Sequence, residues 1–410
     1  MSAGPRLQFP THEIADKPPS EVLQALVGFA VKLNASDIFI LSEEDSVRLA
    51  MRWLGVMHLV AHVSREQGRH LLSYIKAEAG IDIADRRRPL GGRYLYEHSD
   101  ARLDLRINSV PTLFGEDLAI RLLDRRVGLL KIDQLGMTRT EQSRLVSLLN
   151  SPSGLILVTG PTGTGKTTTL YACIDYLNNG ERKINTLEDP IEYSVRGVRQ
   201  SHVQPSLGVD FPELLRHVLR QAPDVIMIGE IRDQETALTA VRAANSGHLV
   251  LATLHAPVAA HGVQNMVALG AHPYFLANCL LGVVAQRLVR VLNPKTRVTY
   301  DIADSPGTFA DVEPLLSAGE GKCLYGPGGK NSEGEPDYTA RTGLFEVLTM
   351  NRELRQLVAA ARPAEELEQK AIEHGMLEFR RSALLKVAQG VTSIEEMMRV
   401  VPSEFLGAED

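Results

Sequence analysis

The segment Gly160-Pro-Thr-Gly-Thr-Gly-Lys166-Thr167 places glycines, a lysine and a hydroxyl residue at the spacing G-x-x-x-x-G-K-[ST]. That pattern is the phosphate-binding P-loop. Its glycines let backbone N–H groups turn inward around phosphate oxygens, and the N-terminus of a following helix adds a favourable dipole. Gly160, Pro161, Thr162, Gly163, Thr164, Gly165, Lys166, Thr167 and Thr168 are therefore the candidate nucleotide-binding residues. Lys166 would reach the β- and γ-phosphates, and the Thr167 hydroxyl would ligate Mg²⁺. The expected ligand is a nucleoside triphosphate.

Three further segments carry candidate chemistry. In Ile184-Asn-Thr-Leu-Glu-Asp-Pro-Ile-Glu192, the carboxylates Glu188, Asp189 and Glu192 follow a strand-like run. Two readings stand for Glu188: a carboxylate that orders Mg²⁺-bound or attacking water, or part of a capped loop ending at Pro190. In Asp224-Val-Ile-Met-Ile-Gly-Glu230-Ile-Arg232-Asp233, a short apolar strand delivers Glu230 in the manner of a Walker B strand. Glu230 is the candidate for activating water in line with the γ-phosphate, the alternative being a surface carboxylate. Arg232 and Asp233 could simply pair with each other. Gly247 to His255 brackets a strand with a histidine at each end. His255, at the carboxyl end, could contact the γ-phosphate, whereas His248 reads as structural. The two are roughly 20 Å apart along an extended strand, too far to share a metal ion.

These groups need a scaffold that brings strand ends together. Leu155–Thr159, Ile184–Leu187, Val225–Ile228 and Leu249–Thr253 read as strands between helical stretches, which predicts a mostly parallel sheet with helices on both faces. In such sheets ligands bind beyond the carboxyl ends of the strands. Residues 1–20, with Pro10, Pro18 and Pro19, read as a flexible lead-in. Residues 21–123 form an α+β domain: an amphipathic helix from Glu21 to Leu33, strands at Ser36–Leu41 and Val47–Trp53 joined by Glu43-Glu-Asp45, and a strand from Ala101 to Ser109. In that last strand Leu103, Leu105 and Ile107 alternate with Arg102, Asp104, Arg106 and Asn108. A linker follows at 124–136 and the nucleotide-binding core at 137–292; the Gly/Pro-rich segment at 293–341 has too little periodicity for regular elements and reads as an extended loop or a degraded small module, and a helical region follows at 342–410.

The composition excludes several classes. With 410 residues, 44% hydrophobic and 23% charged, the chain has room for two or three soluble domains. A net charge of −6 and 5% aromatic residues give no sign of a nucleic-acid channel. Cys173, Cys279 and Cys323 form neither a disulfide framework nor a C-x-x-C pair, which fits a reducing compartment. The beginning of the chain lacks the apolar core of a signal peptide, and no apolar run is long enough to span a bilayer. Any membrane role is expected to be peripheral.

The P-loop, Thr186 to Tyr193, Asp224 to Asp233 and Gly247 to His255 occur in the order of the four motifs of the secretion-superfamily ATPases that power type II secretion and type IV pilus assembly, and the chain resembles that family. Gln286-Arg-Leu-Val-Arg290, the run from Tyr338 to Leu348, Ala35-Ser-Asp-Ile38 and the run from Arg106 to Arg121 are similar to family signatures. The resemblance implies a hexameric ring of subunits with a PAS-like N-terminal domain and a RecA-like core, with ATP and Mg²⁺ bound between the two. It also implies an ATPase motor, cytoplasmic and peripheral at the inner membrane, that drives an inner-membrane platform protein. Arg106 and Arg121 match the family's arginine-finger positions. By themselves they read as solvent-facing strand arginines, whereas guanidinium donors from a second domain can stabilise transition-state charge.

Departures from the family pattern shape further expectations. Asn293 and Thr296 stand where a first C-x-x-C pair would be, and Cys323 alone remains in the second region. No zinc is expected, and the loop is expected to hold by packing alone. Phe39 replaces a histidine, and Leu54-Gly55 replaces Asp-Gly. The chain is expected to lack the extra N-terminal domain of many secretion ATPases and to dock by another surface. Gly375 to Arg381 and Gly390 to Glu396 resemble assembly members more than retraction motors. Two other functions compete with the motor: a non-catalytic nucleotide-binding ring subunit, and a nucleic-acid translocase of a conjugation system.

Overall fold

The computed structural model describes Ile14 and residues 16–98, 101–124, 129–303, 307–329 and 334–405. Most of the expected lead-in, residues 125–128 of the expected linker and the last five residues lie outside the described residues. The chain divides into two compact units, Met1–Gly128 and Leu129–Asp410.

The first unit runs α1 (Pro19–Leu33), β1 (Asp37–Ser42), β2 (Ser46–Trp53), β3 (Val56–Ser64), α2 (Arg65–Glu78), β4 (Leu90–His98), β5 (Ala101–Thr112) and β6 (Gly115–Asp124). Pro19 starts α1 where a missing N–H costs nothing. The strands form a six-stranded antiparallel sheet in the order β3-β2-β1-β6-β5-β4. One face packs Ile38, Ile40, Leu49, Leu105, Ile107 and Ile120 with Leu23, Leu26, Leu71 and Ile75 of the helices. The period-2 pattern of β5 puts Leu103, Leu105 and Ile107 in this core. Asp104 lies on the opposite face but is only 2% exposed, because Arg93 donates to it from Nε and Nη2 at 2.7 Å each.

The second unit opens with α3 (Arg139–Leu149), β7 (Gly154–Thr159), α4 (Lys166–Leu177), β8 (Ile184–Glu188), β9 (Arg199–His202), α5 (Phe211–Val218), β10 (Val225–Ile228), α6 (Gln234–Asn245) and β11 (Leu249–Leu254). It continues through α7 (Ala259–Ala268), α8 (Pro273–Cys279), β12 (Leu280–Leu292), β13 (Val298–Asp301), β14 (Cys323–Gly326), β15 (Tyr338–Thr349), α9 (Arg352–Ala359), α10 (Ala364–Glu373), α11 (Phe379–Ala388) and α12 (Ile394–Val400). Its main sheet has the order β15-β12-β7-β11-β10-β8-β9, parallel except for β15. Every residue of β7 and β11 is buried, as continuous apolar strands are when helices cover both faces. Ile156 and Val158 pack with α3 and α4, and Leu155 and Leu157 with the layer of α5 to α8.

Two expectations need correction. The region from 342 is not helical throughout: Tyr338–Thr349 is a strand, paired antiparallel along β12. Its buried run Gly343–Leu348 has no periodicity to separate strand from helix, and β12 supplies the backbone partners that decide it. The segment 293–341 is also not held by packing alone, and of its two readings, extended loop or degraded small module, it is nearer the second. β13 and β14 pair as an antiparallel ladder, and the Asn293 amide donates to Pro336 O at 2.9 Å while its Oδ1 accepts from Lys295 N at 3.1 Å. Thr296 Oγ1 donates to the same Pro336 carbonyl at 3.3 Å. Among the described residues no helix is long and apolar enough to cross a membrane.

Candidate nucleotide site

The P-loop joins β7 to α4 by backbone shapes that side chains resist. Gly160 has φ +146°, and a Cβ there would lie 2.5 Å from the Gln286 carbonyl. Gly165, at φ +87°, is the N-cap of α4 and offers no side chain to cap it. The first N–H groups of α4 therefore lack a side-chain acceptor, which suits an anion. Thr164 Oγ1 donates to Pro161 O at 2.9 Å. From β12, the Gln286 amide donates to Thr164 O at 2.7 Å and braces the loop from the side. Pro161, Thr162 and Gly163 are exposed, and Thr167 and Thr168 half-buried. The hydroxyl of Thr167 has no protein partner among the described residues, so it fits a cation ligand; this chemistry and the loop's donors suit a Mg²⁺-nucleotide.

Strand order decides what faces the loop. Read from the P-loop outward, β7, β11, β10 and β8 end in Lys166's loop, His255, Glu230 and Glu188. Because β11 lies between β7 and β10, His255 stands between Lys166 and Glu230 across about 10 Å of two strand spacings. It bridges them: Lys166 Nζ lies 3.3 Å from His255 Nδ1, and His255 Nε2 lies 2.8 Å from Glu230 Oε1. An ammonium only donates, so Nδ1 must accept and the proton sits on Nε2, which donates to Glu230. Lys166 also donates to Gly160 O at 2.7 Å and Pro161 O at 3.1 Å. Burial pulls the Lys166 ammonium below its ordinary pKa, and the Glu230 carboxylate partly offsets that.

Glu230 is held from its other side by Arg232, which donates to Oε2 from Nε at 2.6 Å and Nη2 at 2.5 Å. That bond raises the Arg232 pKa. Arg232 therefore does not pair with Asp233, which instead caps α6 by accepting from Thr236 N and Oγ1 at 2.8 Å each. His248 sits at the far end of β11, where Nδ1 donates to Ala243 O at 3.0 Å. Glu188 is not joined to the Lys166–His255–Glu230 chain. Only 3% exposed, its carboxylate accepts from Tyr171 Oη and Thr186 Oγ1 at 2.5 Å each and from Gln200 Nε2 at 3.0 Å. Tyr171 lies on α4, so this cluster ties Glu188 to the P-loop helix; burial and the Glu188 carboxylate push the Tyr171 phenol well above its ordinary range. Sequence reasoning gave no role to Gln286, Tyr171, Gln200 or this bond of Arg232. Gln286 lay within a quoted signature, but nothing in the sequence shows that its strand borders the loop.

Arg106 and Arg121 lie in the first unit, directly opposite each other on β5 and β6. Arg121 Nε lies 3.3 Å from Asp37 Oδ1. Arg106 is half-buried and has no acidic partner among the described residues.

The family profile described as Type II/IV secretion system protein matches residues 13–399. The type II secretion system ATPase E of Vibrio cholerae is 39% identical over 388 residues, covering 94% of this chain and 76% of that protein. The type IV pilus assembly ATPase PilB of Pseudomonas aeruginosa is 36% identical over 400 residues, covering 95% and 68%. Among solved structures, the ATPase DotB of Legionella pneumophila superposes with a TM-score of 0.70 over 96% of this chain and 98% of that one. At 20% identity that likeness speaks for the fold alone, a mixed α/β fold consistent with a RecA-like ATPase core. With a family profile spanning nearly all of its length and relatives at this identity, the chain belongs to the secretion-superfamily ATPases of type II secretion and type IV pilus assembly.

Proposed function

We propose that this protein is a motor that hydrolyses ATP to drive assembly of a pseudopilus or pilus in a type II secretion or type IV pilus system. The observation that carries the reading is the contact chain from Lys166 through His255 to Glu230, which links the phosphate-binding loop to a candidate base. ATP binds by its phosphates to the loop N–H groups, and Lys166 leaves the Gly160 and Pro161 carbonyls for phosphate oxygens. Thr167 would hold Mg²⁺, which would supply positive charge against that building up on the phosphates. Once Lys166 moves, His255 Nδ1 loses its donor, so the hydrogen bonding of the imidazole changes when nucleotide binds. Glu230, oriented by His255 and Arg232, takes a proton from the attacking water. Glu188 serves from its buried cluster as a brace for α4, which the three donors on its carboxylate favour over a metal-water role.

Arg106 and Arg121 supply guanidinium charge to the nucleotide. Arg106 has no acidic partner among the described residues, and the exposed Arg121 beside it meets Asp37 through Nε alone, which supports an anion as the partner of the pair. The first unit serves as the PAS-like domain of a homo-hexamer that works peripherally at the inner membrane on a platform protein. Replacing Glu230 with Gln tests the enzyme reading. Turnover is expected to fall by at least about a hundredfold with nucleotide affinity retained. Unchanged turnover would remove Glu230 as the base; nucleotide binding with no turnover above background in the unaltered protein would leave a nucleotide-binding ring subunit instead, and salt-sensitive binding of single-stranded DNA would favour the translocase.

A further inference from the structure

The register of the first sheet lines up five residues across five strands. Asp37 on β1 stands opposite Arg52 on β2 and Arg121 on β6; Arg121 stands opposite Arg106 on β5, and Arg106 opposite Arg93 on β4. Directly opposed residues share a face, so four arginines and one aspartate form a single row on the face away from α1 and α2. Arg93 is neutralised by Asp104. The remaining three arginines have one carboxylate in the row, Asp37, which is 9% exposed.

From these contacts we infer that Asp37 is a positioning residue that aims Arg121 at the phosphates of the nucleotide. The inference rests on the reading that Arg121 serves that nucleotide. Asp37 is pinned at the start of β1 between two partner strands, and Ser36 Oγ donates to its Oδ2 at 2.8 Å. Its Oδ1 takes Arg121 by Nε at 3.3 Å, and its Oδ2 faces Arg52 Nε at 3.5 Å. Arg52 is held a second time, with its guanidinium 5.3 Å from the centre of the Phe39 ring. Engagement through Nε is what a positioning carboxylate requires. Both terminal nitrogens of Arg121 stay without a protein partner among the described residues, and these present a fork matched to phosphate oxygens. The Arg121 side chain is 63% exposed, and among the described residues Asp37 is its one charged anchor on this face. Asp37 also relieves the repulsion between Arg121 and Arg106 beside it, which has no acidic partner among the described residues.

The test is a double-mutant cycle on the full chain, with steady-state ATP turnover and thermal unfolding measured for Asp37→Ala, Asp37→Glu, Arg121→Ala and the Asp37/Arg121 double variant. Asp37→Ala is expected to lower kcat about tenfold with KM changed less than about twofold, and the double variant to turn over no more slowly than Arg121→Ala alone. Asp37→Glu should recover most of the rate. A carboxylate that merely ties strands together would lower the unfolding temperature and leave kcat in place. Losses that multiply in the double variant, or a normal kcat for Asp37→Ala beside a slow Arg121→Ala, overturn the inference while leaving Arg121's role intact. A normal kcat for Arg121→Ala overturns that role and this inference with it. If Asp37→Ala does not fold, Asp37→Asn keeps the shape and removes the charge, and the same kcat criterion applies.

Discussion

Lys166, His255 and Glu230 make a chain in which each group's state depends on the next. The lysine can only donate and the glutamate can only accept, so the imidazole between them must do one of each. That requirement makes a specific forecast about replacements. Glutamine has an oxygen to accept from Lys166 and an amide to donate to Glu230, whereas alanine has neither. His255→Ala is expected to lower kcat by roughly ten- to a hundredfold, and His255→Gln by clearly less. Steady-state turnover of the two variants settles it, and equal losses would mean that the bridge does not matter. The same logic explains Arg232: a carboxylate gripped on one oxygen by a guanidinium keeps its other oxygen fixed toward His255.

At the scale of elements, the P-loop depends on a strand that follows it by more than a hundred residues in sequence. β12 lies beside β7, and beyond their paired stretch Gln286 turns its amide to the loop carbonyl of Thr164. The Gln286 carbonyl oxygen of the main chain sits so near Gly160 that no Cβ could stand between them. Loop shape and strand position are thus set together. Gln286→Leu keeps the bulk but strands the Thr164 carbonyl, at a cost of about 1–3 kcal/mol. KM for ATP is therefore expected to rise about five- to tenfold, with a smaller change in kcat, as steady-state kinetics would read. The hairpin of β13 and β14 follows a related rule. Asn293 and Thr296 converge on one carbonyl, that of Pro336, so polar side chains cross-link this segment to the start of β15.

For the whole molecule, the second unit closes around Glu346 on β15, which is 1% exposed. Its two oxygens accept from Ala259 N at 2.9 Å and Phe379 N at 3.0 Å, so one carboxyl serves the starts of α7 and α11. Burial holds its pKa up at about 8, with Glu368 and Glu378 adding to the rise and the two N–H groups opposing it. The Arg287 guanidinium nearby acts in the opposite direction to those two glutamates. A carboxyl raised in the folded state contributes stability that is full below its unfolded pKa and is lost as pH rises through the folded value. The unfolding temperature is therefore expected to fall between about pH 5 and pH 9, and Glu346→Gln to flatten that fall in thermal melts. An unaltered slope in the variant would place the titrating group elsewhere. The nucleotide site was legible in the sequence because its chemistry is local: Gly160 to Thr167 must be contiguous to wrap a phosphate, and a four-residue apolar strand before Glu230 announces its own end. The alternation in β5 likewise showed which residues face the core. β12 and β15 were not legible, since a run buried on both faces carries no period, and only their mutual pairing makes them strands. Residue types and spacing alone singled out the candidate nucleotide loop, Gly160 to Thr167. The tertiary structure decided which groups face that loop, because sheet order is not chain order: β11 lies between β7 and β10 and puts His255 in the path from Lys166 to Glu230, while Glu188, one strand further out, is turned into a buried cluster of its own.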